Sequence, residues 1–212
     1  MPPSPQGARR AGIVTSPPPT RWALAGQRNR GYAETFATRL AEGVDVDGEA
    51  RLADALVARR SRILDVGSGM GRVAAALVAR GHDVVATEPD DALRAQSLAT
   101  YAEVAVLPHE ALTLPDLDPF DLIVVVGNVM VYLGEDTERE VLARLRSLLA
   151  PGGRILAGFH LSGTKNGSRA YPAEEFVSDA AAAGLTVDLR FGSYELHAPN
   201  DDYAVWVLSP TG

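Results

Sequence analysis

Three glycines stand at alternate positions in Asp65-Val66-Gly67-Ser68-Gly69-Met70-Gly71, directly after the short apolar stretch Arg62-Ile63-Leu64. Glycines placed so let the chain turn sharply and bring backbone N–H groups against a ligand, so a nucleoside-like ligand suits the turn. Two neighbours narrow its chemistry. A dinucleotide fingerprint needs a small residue where this chain has Arg72, which obstructs tight helix packing. Asp65 would repel a pyrophosphate and is better matched to a ligand with a cationic ammonium or sulfonium. The competing reading is a glycine turn with a structural aspartate.

Further along, Glu88 ends a second apolar stretch, where a carboxylate can accept from both vicinal hydroxyls of a ribose; Pro89 follows it. Glu110 is placed to accept from an adenine amino group, or else is an exposed loop acid, and His109 and Pro108 precede it. Gly127-Asn128-Val129-Met130 falls after a fourth apolar run. Gly127 permits close approach, and Asn128 offers two donors and an acceptor. No metal-ligand spacing is present, and the complete lack of cysteine excludes a thiolate site, a disulfide framework and a cysteine nucleophile.

These residues need elements to position them. Strand-like runs are predicted at 62–66, 82–88, 104–107, 120–126 and 154–159, alternating with helical segments at about 72–80, 90–100 and 135–149. Such alternation implies a parallel sheet covered on both faces, and the unbroken apolar run 122–126 suits a central strand. A helix at 172–183, closed by Gly184, precedes two strands, 185–191 and 203–208, with only a polar loop between them. Strands joined without a crossover helix pair antiparallel. Upstream, Tyr32, Phe36 and Leu40 form one helical stripe and Leu52, Ala55, Leu56 and Arg59 a second, with Gly43 and Gly48 breaking them apart.

The 212 residues, 46% of them apolar, suit one domain and leave little room for a separate substrate domain. Residues 1–20 read as a flexible proline-rich arm, and 21–212 as a single domain whose segment 21–60 forms a helical cap. A net charge of -7 argues against binding driven by nucleic-acid phosphates, although the N-terminus itself is basic. No apolar run reaches the roughly 18 residues of a membrane span, and Arg9-Arg10 leads into prolines, not into a secretory core. The expectation is a cytoplasmic monomer or homodimer with a small-molecule partner, neither nucleic acid nor membrane.

Taken together, Ile63–Arg72, Glu88-Pro89-Asp90, Phe120–Val124 and Leu148-Leu149-Ala150-Pro151-Gly152-Gly153 resemble the class I S-adenosylmethionine-dependent methyltransferases, over about residues 30–208. Gly127–Met130 and Arg190–Leu196 are more particularly similar to small bacterial members. The resemblance implies an α/β, Rossmann-like three-layer α/β/α sandwich with a seven-stranded, mostly parallel sheet and an antiparallel C-terminal strand. It implies S-adenosylmethionine as donor and S-adenosylhomocysteine as product. Gly67, Ser68 and Gly69 would hold the methionine end, Asp65 its amino group directly or through water, Glu88 with Pro89 the ribose, and Glu110 with Ala111 the adenine, with Gly127 and Asn128 beside them. Tyr32 has two readings, a contact to the methionine carboxylate or a core aromatic of its stripe.

A sulfonium donor is already activated, so positioning and exclusion of water can carry much of the transfer to an O, N or C acceptor. His160, after the fifth strand, is the candidate general base, with a pocket-lining loop residue as the alternative. Acceptor walls are expected from 22–36, 130–133, 160–171 and 194–203. An NAD(P)-dependent oxidoreductase and a non-catalytic protein that binds S-adenosylmethionine for regulation are the rival functions.

Overall fold

The computed structural model of the protein describes residues 17–26, 31, 38–39, 42–163 and 166–212. A seven-stranded sheet runs through it in the order β3-β2-β1-β4-β5-β7-β6. The strands are β1 Arg62–Val66, β2 Asp83–Thr87, β3 Ala105–Leu107, β4 Phe120–Val125, β5 Leu149–His160, β6 Leu185–Phe191 and β7 Tyr203–Pro210. Strands β1 to β5 pair parallel where they neighbour. Strand β7 slots between β5 and β6 and is antiparallel to both. The expected hairpin is present, and its second strand is the inner one.

Side chains of the central strands alternate between two cores. Leu64, Ile123, Ile155 and Trp206 face one, beneath α5 Val129–Tyr132, α6 Glu138–Ser147 and α7 Ala173–Ala182. Ile63, Leu122, Leu156 and Val207 face the other, beneath α2 Gly48–Ala55 and α3 Arg72–Ala79. α4 Asp91–Thr100 follows β2 and packs beside β3. Burial on both faces explains why β1 and β4 read as continuous apolar runs.

Several boundaries differ from the sequence expectation. Gly48 opens α2 and does not break it; a Cβ there would come within 3.0 Å of Glu195 Oε1 and 3.2 Å of Tyr194 Cβ, so close packing selects the glycine. The helix expected over 135–149 is α6, and β5 already begins at Leu149, carrying the turn Pro151-Gly152-Gly153 within it. The segment after β4, to which the sequence reading assigned no element, coils into α5. The N-terminal arm is tied in before residue 21: Thr20 bridges Gly134 and its hydroxyl caps α1 Arg21–Ala25 by accepting from Ala23 N–H. The Tyr32/Phe36/Leu40 stripe lies outside the described residues.

Candidate active site

The carboxyl ends of β1, β2, β4 and β5 open into one cavity of about 690 Å³, the place where ligands bind in open α/β sheets and a size suited to a cofactor with substrate. Gly67, Gly69, Glu88, Pro89, Glu110, Ala111, Gly127, Asn128 and His160 all line it. These residues, spread over the chain, are thus brought to one wall system. Asp65 and Ser68 are not among its walls, and Tyr32 lies outside the described residues.

Strand β1 delivers the glycine loop. Gly67 has φ 68°, and a Cβ there would lie 2.6 Å from Val129 Cγ2, so only glycine lets the loop pass under α5. Ser68 N–H donates to Thr87 O at 2.9 Å, fastening the loop to the end of β2. Gly69 N–H donates to Glu88 Oε2 at 2.9 Å, while Asp90 N–H donates to Glu88 Oε1 at 2.9 Å. Each carboxylate oxygen keeps lone-pair capacity for a further donor from the cavity. Burial raises the Glu88 carboxyl above its ordinary range, against the lowering effect of those two N–H donors.

Asp65 sits behind the loop, 2% exposed. Burial pushes its carboxyl up to about 7, opposed by the positive charge of Arg72 and by the backbone N–H of Ala74. Its Oδ2 has no hydrogen-bond partner among the described residues. Arg72, which spoils a dinucleotide fingerprint, instead grips Glu49 with both terminal nitrogens at 2.8 and 3.1 Å and also reaches Val46 O, joining α3 to α2. Ser68 Oγ is buried and has no hydrogen-bond partner among the described residues.

At the end of β4, Asn128 adopts φ 77° and its side-chain oxygen accepts the His160 backbone N–H at 2.9 Å. The acceptor that the sequence left available to a ligand is therefore used to lock β4 to β5. The His160 ring is exposed and meets Tyr203 edge-on with centroids 5.0 Å apart. Tyr203 shares a 2.9 Å hydroxyl contact with Tyr194, which also takes the Gly127 N–H; burial holds the Tyr194 hydroxyl well above its ordinary pKa, so it stays protonated. Glu110 stands half-buried before the single turn Ala111–Thr113, and burial raises its carboxyl as well.

Of the wall segments expected from sequence, Trp22, Tyr132, Leu133 and Tyr203 reach the cavity, whereas Met130 and Val131 turn into the core. Trp22 Nε1 donates to Asp90 Oδ2 at 3.0 Å, and its ring meets Tyr132 edge-on at 5.5 Å. Leu93, Val129 and Glu49 also line the cavity. Their sequence surroundings carry no mark of this, because each is an ordinary helix residue whose exposure to the cavity is decided by packing.

The chemistry of this lining suits a ribose-bearing cation better than a pyrophosphate. One end offers carboxylates at Glu88 and Glu110 and the open glycine turn; the other offers aromatic and imidazole side chains. A Methyltransferase domain family model matches residues 63–153. No curated protein matches the sequence. Among solved structures, a TehB-like SAM-dependent methyltransferase from Corynebacterium glutamicum is 31% identical, with 89% of this chain and 99% of that chain covered and a TM-score of 0.78. The CcbJ methyltransferase from Streptomyces caelestis is 19% identical over 79% of this chain and 91% of its own, TM-score 0.71. The 1,6-didemethyltoxoflavin-N1-methyltransferase of Burkholderia thailandensis, solved with its substrate and S-adenosylhomocysteine, is 21% identical over 95% and 93%, TM-score 0.64. At those two identities the likeness is one of fold.

Proposed function

The chain belongs to the class I S-adenosylmethionine-dependent methyltransferases, and from that premise we propose that it methylates an O, N or C atom of a small-molecule acceptor in the cytoplasm. The observation that carries the proposal is the pairing of Gly69 N–H with Glu88 across a cavity that continues, past Gly127, to His160 and Tyr203.

Bound S-adenosylmethionine supplies a methyl group on a positively charged sulfur. Glu88 accepts from the ribose hydroxyls through the lone pairs its backbone partners leave free. Pro89, Leu93 and Ala111 give the adenine apolar walls, and Glu110 accepts from its amino group. Gly67 and Gly69 expose backbone to the methionine end, and Asp65, whose Oδ2 behind the loop has no partner among the described residues, favours the cationic amino group. Trp22, Tyr132 and Leu133 exclude water from the acceptor side. His160 takes the acceptor's proton where the acceptor carries one.

Calorimetric titration with S-adenosylmethionine and S-adenosylhomocysteine tests the donor half, with micromolar binding expected. Absence of heat for both ligands with folded protein would refute it. Mass spectrometry of a small-molecule panel incubated with enzyme and donor tests the transfer. Persistent donor binding with no methylated product across a broad panel would favour a non-catalytic regulatory protein.

A further inference from the structure

Away from the glycine loop, two of the cavity's wall segments converge on one buried carboxylate. Glu138 opens α6, and its side chain is 4% exposed. Arg21 Nη1 approaches its Oε1 at 3.3 Å and Arg169 Nη1 approaches the same oxygen at 2.6 Å. Arg21 stands between Thr20 and Trp22, both cavity walls, and Arg169 closely follows Asn166, another wall. Between them runs the segment 131–134, which contributes Tyr132 and Leu133. Arg21 N–H donates to Leu133 O at 3.2 Å and Arg169 N–H to Val131 O at 3.0 Å, so that segment is gripped from both sides.

A buried carboxylate is strongly disfavoured unless cations and hydrogen bonds compensate it, and here the compensation comes from two segments distant in sequence. Neither arginine depends on Glu138 alone for its place. Arg21 Nη1 also donates to Leu133 O at 2.9 Å, and Arg169 pairs with Glu175 and lies over the Tyr171 ring at 4.5 Å. What Glu138 adds to their shared backbone contacts with 131–134 is a direct side-chain link between the two.

We propose that Glu138 is a positioning residue for methyl transfer: by holding Arg21 and Arg169 at once, it makes the N-terminal strap 17–26 and the segment 166–171 take their places together around the acceptor. The inference rests on reading the cavity as the methyl-transfer site. The strap also touches the donor side through Trp22 and Asp90, so donor binding should be felt by the strap and passed through Glu138 to 166–171.

Hydrogen–deuterium exchange on the full chain, with S-adenosylhomocysteine as probe, reads this without turnover. In the unaltered protein the probe should slow exchange in both 17–26 and 166–171. In Glu138→Gln both segments should exchange at least several-fold faster without probe, β1 and β4 should be unchanged, and the probe should protect only 17–26. Glu138→Asp, which keeps the charge, should restore part of the protection at 166–171. If Glu138→Gln does not fold, Arg21→Met provides the test: it should abolish probe protection at 166–171 while Arg169 remains in place. Probe protection of 166–171 that persists in a folded Glu138→Gln, or in Arg21→Met, overturns the proposal. Failure of the unaltered protein to bind the probe would instead sink the donor reading, and faster exchange of both segments in Glu138→Gln, read without probe, would still show the shared anchor.

Discussion

Replacing Glu88 by Gln is the sharpest probe of the donor site. Its carboxylate accepts Gly69 N–H and Asp90 N–H, one on each oxygen at 2.9 Å, and each oxygen has capacity for a ribose hydroxyl. Gln keeps one acceptor oxygen and turns the other into an NH₂ that faces a backbone N–H, donor against donor. One charge-assisted ribose bond is lost and the other becomes a neutral one; with such bonds worth ~1.5–3 kcal/mol, the net loss is about 2–3 kcal/mol. That corresponds to roughly 30- to 150-fold weaker binding of S-adenosylhomocysteine. Burial already raises the Glu88 carboxyl, so removing the charge relieves a desolvation cost and should spare the fold. Titration calorimetry on Glu88→Gln, paired with a thermal melt to confirm folding, gives the answer. A dissociation constant within threefold of the unaltered protein would refute the assignment of Glu88 to the ribose.

Gly67→Ala forces a side chain into the left-handed region at about 1–2 kcal/mol and against Val129, whose Cγ2 would lie 2.6 Å from the new Cβ; binding of S-adenosylhomocysteine should fall more than tenfold and recover in part in Gly67→Ala/Val129→Ala. Asp65 gives a pH signature: its folded pKa of about 7 lies above the ordinary 3.8, so the folded state holds its proton more tightly. Stability from this group is therefore present below the lower value and is lost as pH rises towards about 7, on the order of 4 kcal/mol in all. Denaturant titrations at pH 5 and pH 8 should show a smaller difference in Asp65→Asn than in the unaltered protein; an equal difference would count against the buried acid. Tyr194→Phe removes the hydroxyl that takes Gly127 N–H and contacts Tyr203, and urea unfolding should show a loss of about 1–3 kcal/mol; unchanged stability would mean that the hydroxyl pair is not needed to hold the cavity floor.

How much of this site was legible beforehand depended on whether the signal was local. The glycine turn, Glu88 at the end of β2 and Gly127 at the end of β4 could be found because strand ends are marked by apolar runs, and a parallel sheet gathers those ends at one edge. The two-sided burial of β1 and β4 likewise writes itself into consecutive apolar residues. The antiparallel last strand followed from the missing crossover between β6 and β7. By itself, then, the sequence determined the sheet, the turn and the acid that follows β2, because each is encoded in neighbouring residues.

The tertiary structure decided what joins distant segments. It put Asn128's oxygen on the His160 N–H, turned Met130 inward while Tyr132 faced the cavity, and set Arg72 on Glu49. It also brought Arg21 and Arg169 to one buried carboxylate and Trp22 to Asp90. A long-range ion pair or hydrogen bond leaves no periodicity in the chain, and an arginine that grips a buried glutamate is spelled like one on the surface. Only the packing of both cores decides which polar groups lose their water and must find each other.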